Sequence, residues 1–123
     1  MAKILVVDDS SLSRRMLGNI LKQAGHHIIE AADGMSAIEL YFLERPDLVF
    51  LDLVMTGMTG EEVLEKLLSL DKKAQVIIAT SDLQNLTQVA VRQAGANGFI
   101  NKPFVAATVL EAVNAILQGG RSC

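Results

Sequence analysis

A chain of 123 residues is one domain's worth of protein, long enough to bury about two-thirds of its unfolded surface without help from metals or disulfides. Half of the residues are hydrophobic and 20% are charged, which excludes a disordered chain. A net charge of −3, with no basic cluster beyond Arg14-Arg15 and Lys72-Lys73, argues against a nucleic-acid face.

The first predicted element is a strand at 4–7, an apolar run that ends on Asp8 and Asp9. Ser10 or Ser11 is placed to cap the helix that follows. Leu12, Met16, Leu17, Ile20, Leu21 and Ala24 recur at helical spacing, and Gly25 ends the helix. A short strand is expected at 27–31. Asp33-Gly34 reads as a turn, and Ala37, Ile38, Tyr41 and Phe42 mark a second helix stopped by Pro46.

The stretch 47–53 is apolar through Leu51 and stops on Asp52, as a strand buried on both faces would. Thr59-Gly60-Glu61-Glu62 predicts a capping box for a third helix, with Val63, Leu64, Leu67 and Leu68 facing inward. A fourth strand at 75–80 ends in Thr80-Ser81-Asp82. A fourth helix runs over about 83–94 to Gly95. A fifth strand covers 98–101. Lys102-Pro103 follows, then a last helix with Leu110, Val113, Ile116 and Leu117 at helical spacing. The domain spans 1–118, and 119–123 reads as a frayed end or the start of a linker.

Five β-α repeats predict an α/β fold: strands joined by helices are parallel, with right-handed crossovers and helices on both faces. The expected architecture is a doubly wound five-stranded sheet of flavodoxin-like order 2-1-3-4-5 with five helices. In that order strands 1 and 3 are neighbours at the switch point. Asp8, Asp9 and Asp52 then converge at one edge of the sheet, with Thr80 and Lys102 arriving from strands 4 and 5. Taken singly these residues are commonplace, since acidic pairs cap helices and Lys-Pro makes turns. Their shared place at the C-terminal ends of the strands of one sheet is not something capping requires.

Carboxylates crowded this closely repel, by roughly 4 kcal/mol per pair at ~4 Å and an effective dielectric near 20. A cation or retained protons must relieve them. An all-oxygen set without Cys or His suits a hard cation, and a site with few protein ligands suits Mg²⁺. Magnesium pairs readily with phosphate. Thr80 offers a hydroxyl to a phosphoryl oxygen, and Lys102 a point charge. An ionised Asp52 in line with phosphorus can then act as a nucleophile and form an aspartyl phosphate.

The combination resembles the response-regulator receiver domain of CheY-like type. The resemblance rests on Asp8-Asp9 after strand 1, Asp52 after strand 3, Thr80 after strand 4 and Lys102-Pro103-Phe104 after strand 5. Asp33-Gly34, Met55, Gly60 and Ala94-Gly95-Ala96 support it, and it covers about 3–118. It implies that Asp52 accepts a phosphoryl group from a histidine kinase or phosphotransfer protein. It implies that Asp8 and Asp9 hold Mg²⁺, helped by Asp52 and the backbone carbonyl of Val54. Thr80 and Lys102 would bind the phosphoryl group, with a cis Lys102-Pro103 bond. Thr80, Phe99 and Pro103 would form the switch for a face made by the fourth helix, fifth strand and fifth helix. Departures from the pattern are Thr56, where receivers usually carry proline, Phe99 in place of tyrosine, and Ser81 in place of alanine. Val54 and Asp82 occupy positions that tune phosphorylation and hydrolysis in the family. Apolar Val54 orients no water, which predicts a long-lived phosphoryl group.

The output face should meet a protein target or a second copy of the chain. Residues 83–94 carry one charge, Arg92, and residues 104–118 carry one, Glu111, fewer than a solvated helix usually shows. Arg14, Arg15 and Lys22 on the first helix would suit a kinase or phosphotransfer helix. The expected role is a stand-alone signalling phosphoacceptor, not an enzyme with turnover. One alternative is a Mg²⁺-dependent phosphatase with an aspartyl nucleophile, which usually carries a second acid where Val54 stands. Another is a nucleotide- or flavin-binding domain, but Asp8-Asp9-Ser10-Ser11 replaces a Gly-rich loop. The third is an assembly-only receiver, which the complete acidic set disfavours. The single cysteine, Cys123, excludes an intramolecular disulfide, and no apolar run reaches the length of a membrane span. The apolar stretch at 4–7 is too short for a signal peptide, so the expected location is cytoplasmic, with no membrane contact.

Overall fold

The computed structural model describes residues 2–81 and 93–119. Its strands are β1 (Lys3–Val7), β2 (His27–Ala31), β3 (Leu48–Leu51), β4 (Val76–Thr80) and β5 (Gly98–Asn101), all parallel in one sheet of order β2-β1-β3-β4-β5. The helices are α1 (Ser11–Gln23), α2 (Gly34–Glu44), α3 (Gly60–Leu70) and a C-terminal helix (Ala106–Leu117). The expected order is therefore the observed one. Four of the five expected helices are among the described residues, and the remaining one, about 83–94, lies almost entirely outside them. No helix among the described residues is long and apolar enough to cross a membrane.

Alternation along the strands builds two cores. Leu5, Val7, Val49, Leu51, Val76 and Ile78 face α2 and α3, where Ala37, Tyr41, Val63, Leu64 and Leu67 meet them. Ile4, Val6, Leu48, Phe50, Ile77 and Ala79 face α1 and the C-terminal helix, meeting Leu17, Leu21, Val109, Val113 and Ile116. The central strands are apolar on both faces for this reason: each covers a helix layer on either side. All four residues of β3 are at most 1% exposed.

Local capping sets where the helices begin. The Ser10 side chain accepts from the Ser13 amide, and Thr59 and Glu62 form the reciprocal capping box. Asp33-Gly34 is not a free turn: Asp33 caps α2 by accepting from the Ser36 amide, and Gly34 is the helix's first residue. A carboxylate at this point satisfies an orphan amide, which converts the expected turn into a helix start. Gly34 is closely packed: a Cβ there would lie 2.8 Å from Met58 Sδ and from Val63 Cγ2, so those side chains would have to shift. The inner stripe of α1 is also narrower than its apolar spacing suggests. Leu17, Gly18 and Leu21 are buried, whereas Leu12 and Met16 are 61% and 43% exposed. Leu17 and Leu21, one turn apart, define the stripe, and Met16 sits about 100° round the helix from it.

At the N-terminal end of the sheet, neutral His26 accepts a hydrogen bond from the Ala2 amide at Nδ1 (3.2 Å). Burial, together with the nearby N-terminal charge, holds its pKa below the ordinary value of about 6.5. The folded state thus binds this proton more weakly than the unfolded chain does. The stability this confers is present above the unfolded pKa and is lost as pH falls through the folded one. His26→Gln, which cannot titrate, should show a shallower loss of thermal stability than the wild type between about pH 7 and pH 5. Equal slopes would show that His26 does not contribute.

Candidate functional site

Parallel strands linked by right-handed crossovers present all their C-terminal ends at one edge of the sheet. Val7 and Leu51 are register partners in β1 and β3, so Asp8 and Asp52, each one residue later, emerge side by side. The Asp52 amide donates to the Val7 carbonyl (3.0 Å) and extends that ladder to the carboxylate itself. Thr80 pairs in register with Asn101, and the Lys102 amide donates to the Thr80 carbonyl (3.1 Å). The strand ends therefore place Asp8, Asp52, Thr80 and Lys102 together, as expected from the sequence.

The acids form one group. Asp8, Asp9 and Asp52 each offer a carboxylate oxygen within 4.8 Å of the others. Asp8 and Asp52 are 3% and 5% exposed, whereas Asp9 is on the surface. Lys102 Nζ reaches into the group, 2.6 Å from Asp8 Oδ2 and 3.3 Å from Asp52 Oδ2. It is the internal counter-cation that lets two buried carboxylates stand side by side. Burial opposes its charge, but the hydrogen bond to Asp8 and the charges of both acids outweigh that, so its pKa lies above the ordinary value. Burial pushes the Asp52 pKa up, Lys102 pulls it down, and the Asp8 charge adds to the rise, leaving it above the usual carboxylate value. An acid with this balance is short of positive charge.

The remaining hydrogen bonds fix the carboxylates. Asp8 Oδ1 accepts from the Ser10 amide (2.9 Å), and Asp52 Oδ1 from the Val54 amide (3.3 Å). Asp9 Oδ2 accepts from both the amide and the hydroxyl of Thr56, at 3.1 and 3.2 Å. The donor set is entirely oxygen, acidic and partly open to solvent, which fits Mg²⁺ and does not fit a thiophilic metal. Val54 lies beside the site and is 62% exposed.

Two participants were not foreseen. Thr56 binds Asp9 across 47 positions, and nothing local in the sequence signals it. Arg14, expected on a partner-facing surface, instead donates from Nη1 to the Asp8 carbonyl (2.6 Å) and pairs through Nε with Glu30 (3.1 Å). Its guanidinium is committed to holding the end of β1 against β2.

Phe99 is half-buried on β5 and lines a cleft of about 330 Å³ with Ile100, Pro103, Val105 and Val109. The Lys102–Pro103 peptide is cis. A second groove, between α1 and the start of the C-terminal helix, is lined by Ser13, Met16, Ser81, Lys102, Pro103 and Phe104. The exposed Met16 thus borders the site rather than the core.

The family model of the response regulator receiver domain matches residues 4–114. The chain is 39% identical over 117 residues to the chemotaxis protein CheY of Bacillus subtilis, covering 94% of this chain and 98% of that one. It is 34% identical to the chemotaxis protein CheY of Thermotoga maritima, over 93% and 96% of the two chains. Among solved structures, chemotaxis protein CheY4 of Vibrio cholerae superposes with a TM-score of 0.85 at 30% identity, covering 93% and 97%.

Proposed function

This chain belongs to the response regulator receiver domain family, and from that premise we propose that it is a phosphoacceptor whose reactive group is Asp52. The observation that carries the reading is the pairing of a buried Asp52 with a buried Asp8 under one lysine, with Asp9 completing a three-acid group.

The donor is a phosphohistidine on a histidine kinase or phosphotransfer protein. A carboxylate oxygen of Asp52 attacks phosphorus, the P–N bond breaks, and the imidazole leaves with its electron pair. Lys102 pulls the Asp52 pKa down against burial and the Asp8 charge, and so favours the ionised carboxylate that this step requires. Lys102, already at the carboxylate, is within reach of an incoming phosphoryl oxygen, and Thr80 at the neighbouring strand end supplies a hydroxyl. Asp8, Asp9, Asp52 and the Val54 carbonyl would hold Mg²⁺. When bound, the ion supplies positive charge to the transferring phosphoryl oxygens.

The output runs through Thr80, Phe99 and Pro103 to the surface around β5 and the C-terminal helix. That surface meets a protein target or a second copy of the chain. The chain acts in the cytoplasm as a signalling phosphoacceptor that assists its own phosphorylation and dephosphorylation, without turning over a substrate.

Incubation with acetyl phosphate and Mg²⁺ should add one phosphate per chain to the intact mass, and a chelator should prevent it. No adduct with Mg²⁺ present would sink the reading and leave a receiver used only for assembly. The lifetime of the adduct has its own test. Val54, apolar and exposed beside Asp52, offers an attacking water no hydrogen bond. Val54→Asn should speed dephosphorylation roughly 10-fold by positioning that water. An unchanged rate would remove Val54 from the account.

A further inference from the structure

The loop between β3 and α3 is tied to the acidic group at two points. Near its start the Val54 amide donates to Asp52, and further along Thr56 donates twice to Asp9. We propose that Thr56 is a positioning residue for the cation site, holding the exposed Asp9 carboxylate toward Asp8 and Asp52 so that the three act as one ligand set. The inference rests on the Mg²⁺ site of the preceding reading and adds a residue to it.

Asp8 and Asp52 are buried, and burial together with Lys102 fixes their carboxylates. Asp9 is on the surface, where a carboxylate samples several rotamers and each cation-binding event must select one. A backbone amide and a hydroxyl converging on one oxygen select that rotamer beforehand. Both donors meet Oδ2, so Thr56 does not use Oδ1. A carboxylate has acceptor capacity left after two such bonds. Proline at position 56, the usual residue of receivers, has no N–H and no hydroxyl, so the double clamp is a property of this chain.

The arrangement also links loop and site in the other direction. Thr56 ties Asp9 to the segment before Gly57, which adopts a left-handed φ of 81°, so a cation held by Asp9 would be linked through Thr56 to this loop.

The test is a Mg²⁺ titration of the full chain followed by ¹⁵N–¹H NMR, with the Thr56 amide shift as the direct readout. Wild type and Thr56→Ser, which keeps both donors, should give the same Kd and the same titrating amide at position 56. Thr56→Val, which keeps only the amide, should raise Kd about 3-fold, and Thr56→Pro, which keeps neither donor, about 10-fold. Thermal unfolding in chelator confirms that each variant is folded. Should Thr56→Pro not fold, the Ser and Val variants carry the test alone. Wild-type affinity in Thr56→Val, or a loss in Thr56→Ser equal to that in Thr56→Val, would overturn this inference and leave the Mg²⁺ reading standing. Absence of Mg²⁺ binding by the wild type would overturn both.

Discussion

An Asp52→Asn protein should take up no phosphoryl group from acetyl phosphate and, in the presence of chelator, should unfold at a higher temperature than the wild type. The first half follows from nucleophilicity, since a neutral amide oxygen does not displace the phosphoryl group as a carboxylate does. The second follows from the electrostatics of the metal-free site. Burial raises the Asp52 pKa and the Asp8 charge adds to it, against the pull of Lys102 and of the Val54 amide. The fold therefore binds the Asp52 proton more tightly than the unfolded chain does. Stability falls as pH climbs from the unfolded value of about 3.9 through the folded one, the window in which the fold penalises the ionised form. Asparagine fills the same volume, keeps an oxygen for the Val54 amide, and carries no charge to desolvate.

The difference should be read as a higher unfolding midpoint for Asp52→Asn at pH 7 that shrinks as pH is lowered toward about 4. Added Mg²⁺ should narrow or reverse the gap, because it stabilises the state that binds it and the wild type offers the full acidic set. An Asp52→Asn protein that melts below the wild type in chelator would show that Lys102 outweighs burial. A phosphate adduct that survives the substitution would move the phosphoacceptor elsewhere.

Gly60→Ala should destabilise the fold by about 3 kcal/mol, near 10 °C in the unfolding midpoint. Gly60 is the first residue of α3, and its amide donates to the Leu53 carbonyl (3.1 Å). A Cβ there would collide with the Asp52 carbonyl oxygen and the Leu53 Cα. Both are backbone atoms, so no side-chain rotation relieves the clash. Either α3 or the end of β3 must move, and the second displaces the phosphoacceptor. Misplacing a reacting group by ~1 Å can cost on the order of 100-fold in rate, so phosphorylation of the folded fraction should also slow. Gly57→Ala is the control. Gly57 has φ 81° with nothing within 4 Å of the added carbon, so only left-handed strain opposes it, about 1–2 kcal/mol. A Gly60→Ala protein as stable and as reactive as Gly57→Ala would show that α3 does not pack on the Asp52 backbone as described.

The Asp52–Gly60 contact shows how far the sequence could be read. The central strands were legible because a strand covered on both faces is a continuous apolar run. Leu48–Leu51 is such a run, and it stops at the residue where the layers stop. The capping box at Thr59 was legible because its two partners lie three residues apart. At the edges of the layers the signal fades. Leu12 and Met16 have the spacing of core residues and yet line the outside, because helical spacing marks a stripe without saying where it ends. Asp33-Gly34 has turn chemistry, and capping chemistry is the same chemistry.

The order 2-1-3-4-5 is one of several doubly wound orders that right-handed crossovers allow, so what the sequence by itself determined is the α/β alternation and the shared edge that receives the C-terminal ends of the strands. Those facts depend on local periodicity and on chain chirality, and both are written in short windows. Only the tertiary structure decided which of these groups touch. Lys102 and Asp8 are 94 positions apart and lie 2.6 Å from each other, and Thr56 reaches Asp9 across 47. Such contacts depend on loop paths and side-chain rotamers, which the packing of the whole domain selects. That Arg14 serves the fold and Thr56 the acidic group was decided there, by burial and geometry that no short window of sequence contains.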